Sequence, residues 1–170
     1  MEADDKLTFI SEKAKVNFLL FQHKFLEDPS YWAQWTRDML MLLIHKGGKN
    51  PFNYIDDLGF FLRQYKLYQQ GVVIYEAIDK HYAELLKTDE NSVPYDYYLL
   101  LQQFGYCYQG LGQYAMAADA LQRSMDWHSQ MMRRHSDHSL HSRIIGYLDI
   151  GGLYFQAKDY DKALRVSWDC

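Results

Sequence analysis

The sequence predicts an all-α protein, an array of antiparallel helical hairpins preceded by an N-terminal helical hairpin. Three observations support this prediction. Only three prolines and ten glycines occur in 170 residues, so few positions interrupt long helices. Apolar residues recur at steps of three and four, which is the spacing of one helix face. One set of positions also repeats every 46 residues, and repetition at such a period is typical of stacked supersecondary units.

Residues 1–50 are predicted to form the N-terminal hairpin, which caps the array. One apolar stripe runs along its first helix, through Ile10, Ala14, Phe18, Phe21 and Phe25. Asp28-Pro29 ends that helix, and the hydroxyl of Ser30 can cap the next one. The second helix is expected to bury a similar stripe, formed by Trp32, Trp35, Met39 and Leu42. Gly47-Gly48 then ends this helix.

Residues 51–170 are predicted to form three hairpin units, at about 52–97, 98–143 and 144–170. Five columns of matching residues share the 46-residue offset: Ile55, Leu101 and Tyr147; Leu58-Gly59, Phe104-Gly105 and Ile150-Gly151; Leu62, Tyr108 and Tyr154; Tyr68, Tyr114 and Tyr160; and Gly71, Ala117 and Ala163. The first three columns are expected on the first helix of each unit. The tyrosine column is expected at the turn, and the column of small residues on the second helix.

The recurring glycine of the first helix requires a structural reason, because glycine inside a helix costs about 1 kcal/mol relative to alanine. We expect each glycine to face the small residue on the second helix of its own unit, so that the two helices pack closely. The third unit has only the residues from about Tyr160 to Cys170 for its second helix. This short helix predicts an open apolar face, belonging either to a fragment of a longer protein or to a surface covered by another chain.

This pattern resembles the tetratricopeptide repeat, a family of two-helix units with small and large residues at fixed positions. The second unit is the most similar, through Leu101, Phe104-Gly105, Tyr108, Tyr114, Ala117, Leu121 and Ser124. The third unit departs from the family pattern at Ser167, and the first departs at Gly71 and Ile78. The period is also longer than the family's usual value of about 34 residues. The resemblance implies a right-handed superhelix that binds another protein or a peptide on its concave face.

The resemblance also implies which first-helix residues line that concave groove. They are Asn53, Asp56, Phe60 and Arg63; Leu99, Gln102, Tyr106 and Gln109; and Ile145, Leu148, Gly152 and Phe155. Such a groove is apolar and tyrosine-rich, which suits an amphipathic helix or an extended peptide. Alternatively, each aromatic ring packs against the neighbouring repeat. The carboxylate clamp of chaperone adaptors is disfavoured, because Asp56 and Phe60 stand where that clamp needs lysine and asparagine.

Composition and charge exclude several functions. The net charge of −4 argues against a protein that contacts nucleic acid directly or binds an anionic membrane. Two cysteines without C-x-x-C spacing provide neither a disulfide framework nor a cysteine zinc site. No apolar run approaches the length of a membrane span, and the acidic start of the chain is unlike a signal peptide. Together these features predict a cytoplasmic protein.

No motif for phosphate binding, metalloprotease activity or serine hydrolysis occurs. His135, His138 and His141 recur at intervals of three and are the candidate metal ligands, although a polar loop is the alternative and Arg133-Arg134 disfavours a nearby cation. The sequence therefore predicts a non-enzymatic scaffold without cofactors. Its partner is expected to be another protein or a peptide, and its C-terminal end a site of self-association. The alternative is the sensory or regulatory half of a signalling or transcription-regulating protein, with its output domain beyond Cys170.

Overall fold

The computed structural model describes residues 20–45, 55–134 and 140–168, without the side chains of 133–146 and 167–168. All regular elements in these residues are helical, which confirms the predicted all-α class for this part of the chain. The helices are α1 (residues 20–27), α2 (Pro29–His45), α3 (Ile55–Gln64), α4 (Tyr68–Thr88), α5 (Tyr97–Gly110), α6 (Tyr114–Arg134), α7 (Leu140–Gln156) and α8 (Tyr160–Trp168). A short 3-10 helix, Glu90–Ser92, follows α4.

The helices pack as a chain of neighbouring hairpins. Helix α5 contacts α3, α4 and α6, while α7 contacts α6 and α8. In the second and third units the first helix therefore packs against the second helix of the preceding unit, whereas α2 of the N-terminal hairpin packs on α4. The predicted first-helix columns are buried in all three units: Ile55, Leu101 and Tyr147; Leu58, Phe104 and Ile150; Gly59, Gly105 and Gly151; and Leu62, Tyr108 and Tyr154. On the first helices the 46-residue repetition thus marks core positions.

The turn inside each hairpin also repeats every 46 residues. One residue of each turn has a left-handed backbone, with φ of 56° at Lys66, 72° at Gly112 and 62° at Lys158. The next amide N–H donates to the carbonyl five residues earlier, in the pairs Leu67–Leu62 (2.8 Å), Gln113–Tyr108 (2.9 Å) and Asp159–Tyr154 (3.0 Å). This is the hydrogen-bond pattern of a Schellman motif, in which glycine is the favoured left-handed residue. Only the second turn has glycine at this position.

We therefore expect Lys66→Gly and Lys158→Gly each to raise the free energy of unfolding by about 1 kcal/mol, because a side chain disfavours the left-handed backbone. The converse change, Gly112→Lys, is the matched control and should lower stability by a similar amount. Urea denaturation followed by far-UV circular dichroism measures all three. Lower stability in both lysine-to-glycine variants would contradict this account of the turns.

In the N-terminal hairpin the structure confirms the predicted burial of Phe25 and corrects the stripe that was predicted on α2. Phe25 is fully buried, and its ring centroid lies 5.4 Å from that of Phe61 on α3; Ile10, Ala14, Phe18 and Gly47-Gly48 lie outside the described residues. On α2 the buried residues are Ala33, Thr36 and Leu40, and the predicted residues Trp35, Met39 and Leu42 are exposed. The stripe prediction was wrong for these three residues because α2, which packs on α4, buries Ala33, Thr36 and Leu40 instead.

The cap of α2 also differs from the prediction. Helix α2 begins at Pro29, so Ser30 lies inside its first turn instead of before it. The backbone N–H of Tyr31 donates to the Asp28 carboxylate at 3.1 Å. Asp28 therefore caps the helix, and proline occupies the first helical position, where its missing N–H has no consequence.

The glycine prediction is confirmed in the second unit and wrong in the first. A Cβ on Gly105 would lie 2.7 Å from Leu121 Cγ and 3.2 Å from the Ala117 carbonyl oxygen, so this glycine faces α6 as expected. A Cβ on Gly59 would instead collide with the side chain of Gln103, which comes from α5. Gly71 likewise makes room for Cys107 of α5. In the first unit, the missing side chains admit residues of the next unit instead of drawing α3 and α4 together.

Candidate functional site

A groove with a volume of about 380 Å³ lies between α5 and α7, with α6 at its base. Of the predicted groove residues, the structure brings together Gln102, Tyr106, Gln109, Leu148 and Gly152 in this groove. The first three lie at steps of four and three on α5, which places them on one helix face. The opposite face of α5 packs in the core, so this face is left to the groove.

The base of the groove is mainly apolar and its walls are mainly polar. Leu121, Met125 and Leu153 line it together with Ser124, whose hydroxyl donates to the Tyr98 carbonyl at 2.8 Å. The walls carry three carboxamides, from Gln102, Gln109 and Gln156, and one carboxylate, from Asp149. An apolar base can take up a large side chain, and carboxamides can both donate and accept hydrogen bonds.

Two features leave the groove accessible. The Gln102 amide donates to the Tyr106 hydroxyl at 3.1 Å, which holds both side chains along the α5 wall. Gly152 is exposed, and a Cβ placed on it would have no neighbouring atom within 4 Å. Space on the α7 wall is therefore produced by a missing side chain and is not filled from another helix.

The predicted residues of α3 lie elsewhere, where α3 meets α5. Gln103 of α5 is buried above Gly59 and donates from its amide to Asp56 at 2.9 Å. Its carbonyl oxygen accepts a hydrogen bond from the Arg63 guanidinium. That guanidinium lies 5.1 Å from the centre of the Tyr106 ring, a cation–π geometry. Asp56 and Arg63 are thus engaged by α5.

The other predicted residues do not line the groove. Phe60 and Phe155 are each 64% exposed, and Leu99 is half-buried. The Phe155 ring centroid lies 5.4 Å from that of Tyr160, on the side of α8. Asn53, His135 and His138 lie outside the described residues, as do the side chains of His141 and Ile145. Within the described residues, no group of three or more histidines, cysteines or carboxylates is placed to hold a metal ion.

Sequence reasoning missed Gln103, Asp149 and Gln156. The sequence signal for Gln103 is its polar side chain next to the buried Phe104 column, whereas its position above Gly59 is visible only in the structure. Asp149 and Gln156 carry none, since they follow neither the 46-residue columns nor the groove positions that the resemblance implies.

Outside the groove, a polar cluster that joins α4, α5 and α6 and the buried thiol of Cys107 are structural. Arg123 of α6 donates to both carboxylate oxygens of Asp79 on α4, at 2.6 and 3.0 Å. The Tyr97 hydroxyl of α5 donates to the same carboxylate, and burial followed by the charge of Asp79 raises the pKa of Tyr97 well above its usual value. Burial also raises the pKa of the Cys107 thiol to about 12, so its reactive thiolate is not populated at neutral pH.

Comparison with known proteins adds no information about the groove. A scan against protein-family models, a search of curated proteins and a search of solved structures each found no match to this chain. In the part of the chain that the structure describes, none of the helices combines the length and apolar character needed to cross a lipid bilayer.

Proposed function

We propose that this chain is a non-enzymatic, tetratricopeptide-like scaffold whose α5–α7 groove binds a peptide segment of another protein. The observation that carries the proposal is the groove itself, an open channel with an apolar base and carboxamide walls. A large apolar side chain of the partner fits the base. The main-chain N–H and C=O groups of the partner find both acceptors and donors on Gln102, Gln109 and Gln156.

The lining favours recognition over catalysis. Among the described residues that line the groove, Asp149 is the one carboxylate and Tyr106 the one phenol, and they come with neither histidine nor cysteine. General acid–base or nucleophilic chemistry needs a nucleophile and a base held within hydrogen-bond reach of each other. The regular recurrence of the hairpin turn supports tetratricopeptide-like stacking of the three units.

Blocking the groove tests this function. Gly152→Trp places a large ring in the open space on the α7 wall, and no atom within 4 Å of its Cβ is displaced. Peptides are first selected on the wild-type protein from a displayed random library, and their affinities are then measured by fluorescence anisotropy. We expect the tryptophan variant to weaken binding at least tenfold, while Gly152→Ala, the matched control, changes the affinity less than twofold.

Equal affinity of both variants for every selected peptide would contradict the groove as the binding site. The free energy of unfolding of each variant distinguishes a blocked groove from a misfolded protein. Both substitutions replace a helical glycine in open space, so this free energy should stay equal or rise. The regulatory half of a larger signalling protein, the second function that the sequence allows, stays a prediction.

A further inference from the structure

Helix α2 carries an exposed stripe on the face that points away from α4. We define this outer stripe as Tyr31, Trp35, Asp38, Met39 and Leu42. Its four apolar side chains are 38–56% exposed, and the Asp38 side chain is 66% exposed. An apolar face of this kind on a soluble domain marks an interaction surface.

The aromatic part of the outer stripe is held in place before any partner arrives. The Trp32 ring centroid lies 5.5 Å from that of Tyr31 and 5.3 Å from that of Trp35, both at steep angles. Trp32 is itself half-buried and packs against the core. Rings fixed in this way lose little entropy on binding, and tryptophan and tyrosine are the side chains most enriched in interface hot spots.

We propose that the partner of the outer stripe is a second copy of this chain, bound with α2 antiparallel to α2 about a twofold axis. The residues Asp28, Tyr31, Trp35, Asp38, Leu42 and His45 follow steps of three, four, three, four and three. This is the spacing of a coiled-coil seam, and it is the same in both directions along the helix. A twofold axis near Thr36 and Arg37 therefore brings each residue opposite its mirror position.

The residues that become opposed are chemically complementary. Tyr31 meets Leu42 of the second copy, which pairs two apolar side chains. Trp35 meets Asp38 of the second copy, so the indole N–H has a carboxylate acceptor. The end residues of the seam keep contacts within their own chain, because Asp28 caps α2 and the His45 ring centroid lies 5.1 Å from that of His81 on α4.

The size of the outer stripe predicts a weak dimer. A large side chain buries about 200 Å² in full, so the exposed parts of four such side chains and the adjoining Leu43, which is 37% exposed, amount to about 450 Å² on each copy. Two copies then bury about 900 Å² of apolar surface, close to the lower limit of about 1,000 Å² for specific interfaces. We expect dissociation constants on the order of tens of micromolar.

A lipid surface suits the outer stripe less well than a second copy does. The Asp38 carboxylate lies in the middle of the stripe and is held by the Arg37 guanidinium at 2.8 Å. Insertion of the stripe into a bilayer would move this charged pair into the acyl region, which is costly. In the antiparallel pair, the same carboxylate gains the indole donor.

Sedimentation equilibrium over a range from 1 to 200 µM protein, roughly two decades around the expected dissociation constant, tests the dimer. Tyr31→Glu alone and Leu42→Lys alone should each weaken dimerisation at least tenfold. An equimolar mixture of the two variants should recover dimers, because the acidic side chain at position 31 of one chain then faces the basic side chain at position 42 of the other. Leu148→Lys, which alters a more exposed leucine in the groove, is the control and should leave dimerisation unchanged.

Several outcomes would overturn the proposal. A wild-type monomer throughout the concentration range would do so, as would dimers that neither outer-stripe variant weakens. Failure of the mixture to recover dimers would refute the antiparallel register. A monomer that sediments with anionic phosphatidylserine vesicles, through residues 31 and 42, would assign the outer stripe to lipid. Peptide binding by the groove is measured separately, so the two proposals fail or succeed independently.

Discussion

Replacing Gly105 with valine is expected to lower the free energy of unfolding by about 3 kcal/mol, since overpacking of a dense core costs this much when neighbours cannot move. The new Cβ would lie 2.7 Å from Leu121 Cγ, 2.8 Å from Leu121 Cδ2 and 3.2 Å from the Ala117 carbonyl oxygen. Leu121 is itself buried, and the Ala117 oxygen belongs to the helical backbone of α6. Relief of the overlap therefore requires the Leu121 side chain to shift toward the groove and α5 to move away from the Ala117 carbonyl.

Gly152→Val is the matched control for this substitution. It introduces the same side chain into a helical glycine site, at the corresponding turn of the next unit, where no atom lies within 4 Å of the new Cβ. The control should stabilise the protein by a few tenths of a kcal/mol through helix propensity alone. Urea denaturation of both variants measures the contrast. Equal stabilities would show that close approach of α5 and α6 does not depend on Gly105.

The buried columns could be predicted from sequence because burial follows helical periodicity, and the 46-residue offset repeats that periodicity three times. Which helix each glycine faces could not be predicted. Gly59 and Gly105 occupy the same register, yet one admits Gln103 from the next unit and the other admits Leu121 from its own unit. A column of glycines therefore does not specify which neighbouring helix fills the space that it leaves.

The sequence pattern also did not predict which face of α2 is buried. Hydrophobicity alone favours the aromatic stripe, whereas packing against α4 selects Ala33 and Thr36, whose small side chains allow close approach. The left-handed turns, too, could be predicted from the sequence only in part. Glycine at position 112 signals such a turn, but Lys66 and Lys158 adopt the same backbone without any compositional sign.

The groove was predicted residue by residue at three positions on α5 and at Leu148 and Gly152 on α7. Gln102, Tyr106 and Gln109 share a helix face, and a helix face follows from spacing. The opposite wall depends on how α7 is placed relative to α5, which no local spacing encodes. For this reason Leu148 lines the groove as expected, while Phe155, one helical turn of α7 beyond Gly152, lies next to Tyr160.

The second large effect is expected at Phe61, which joins the N-terminal hairpin to the array. Phe61 is fully buried and its ring contacts that of Phe25, which is also fully buried. Phe61→Ala removes this contact and leaves a cavity, so we expect a loss of about 4 kcal/mol in the free energy of unfolding.

Phe60 provides a control for Phe61 at the adjacent position of the same helix. Its ring is 64% exposed, so Phe60→Ala should change stability by less than about 0.5 kcal/mol. Limited proteolysis distinguishes a local from a global loss of stability. The Phe61 variant should be cut faster in residues 20–45 than in α5 and α6, because the N-terminal hairpin is the part that loses its contact with α3. Equal losses of stability in the two variants would mean that Phe61 does not anchor the hairpin, and that α2 is held to the array by its contact with α4 alone.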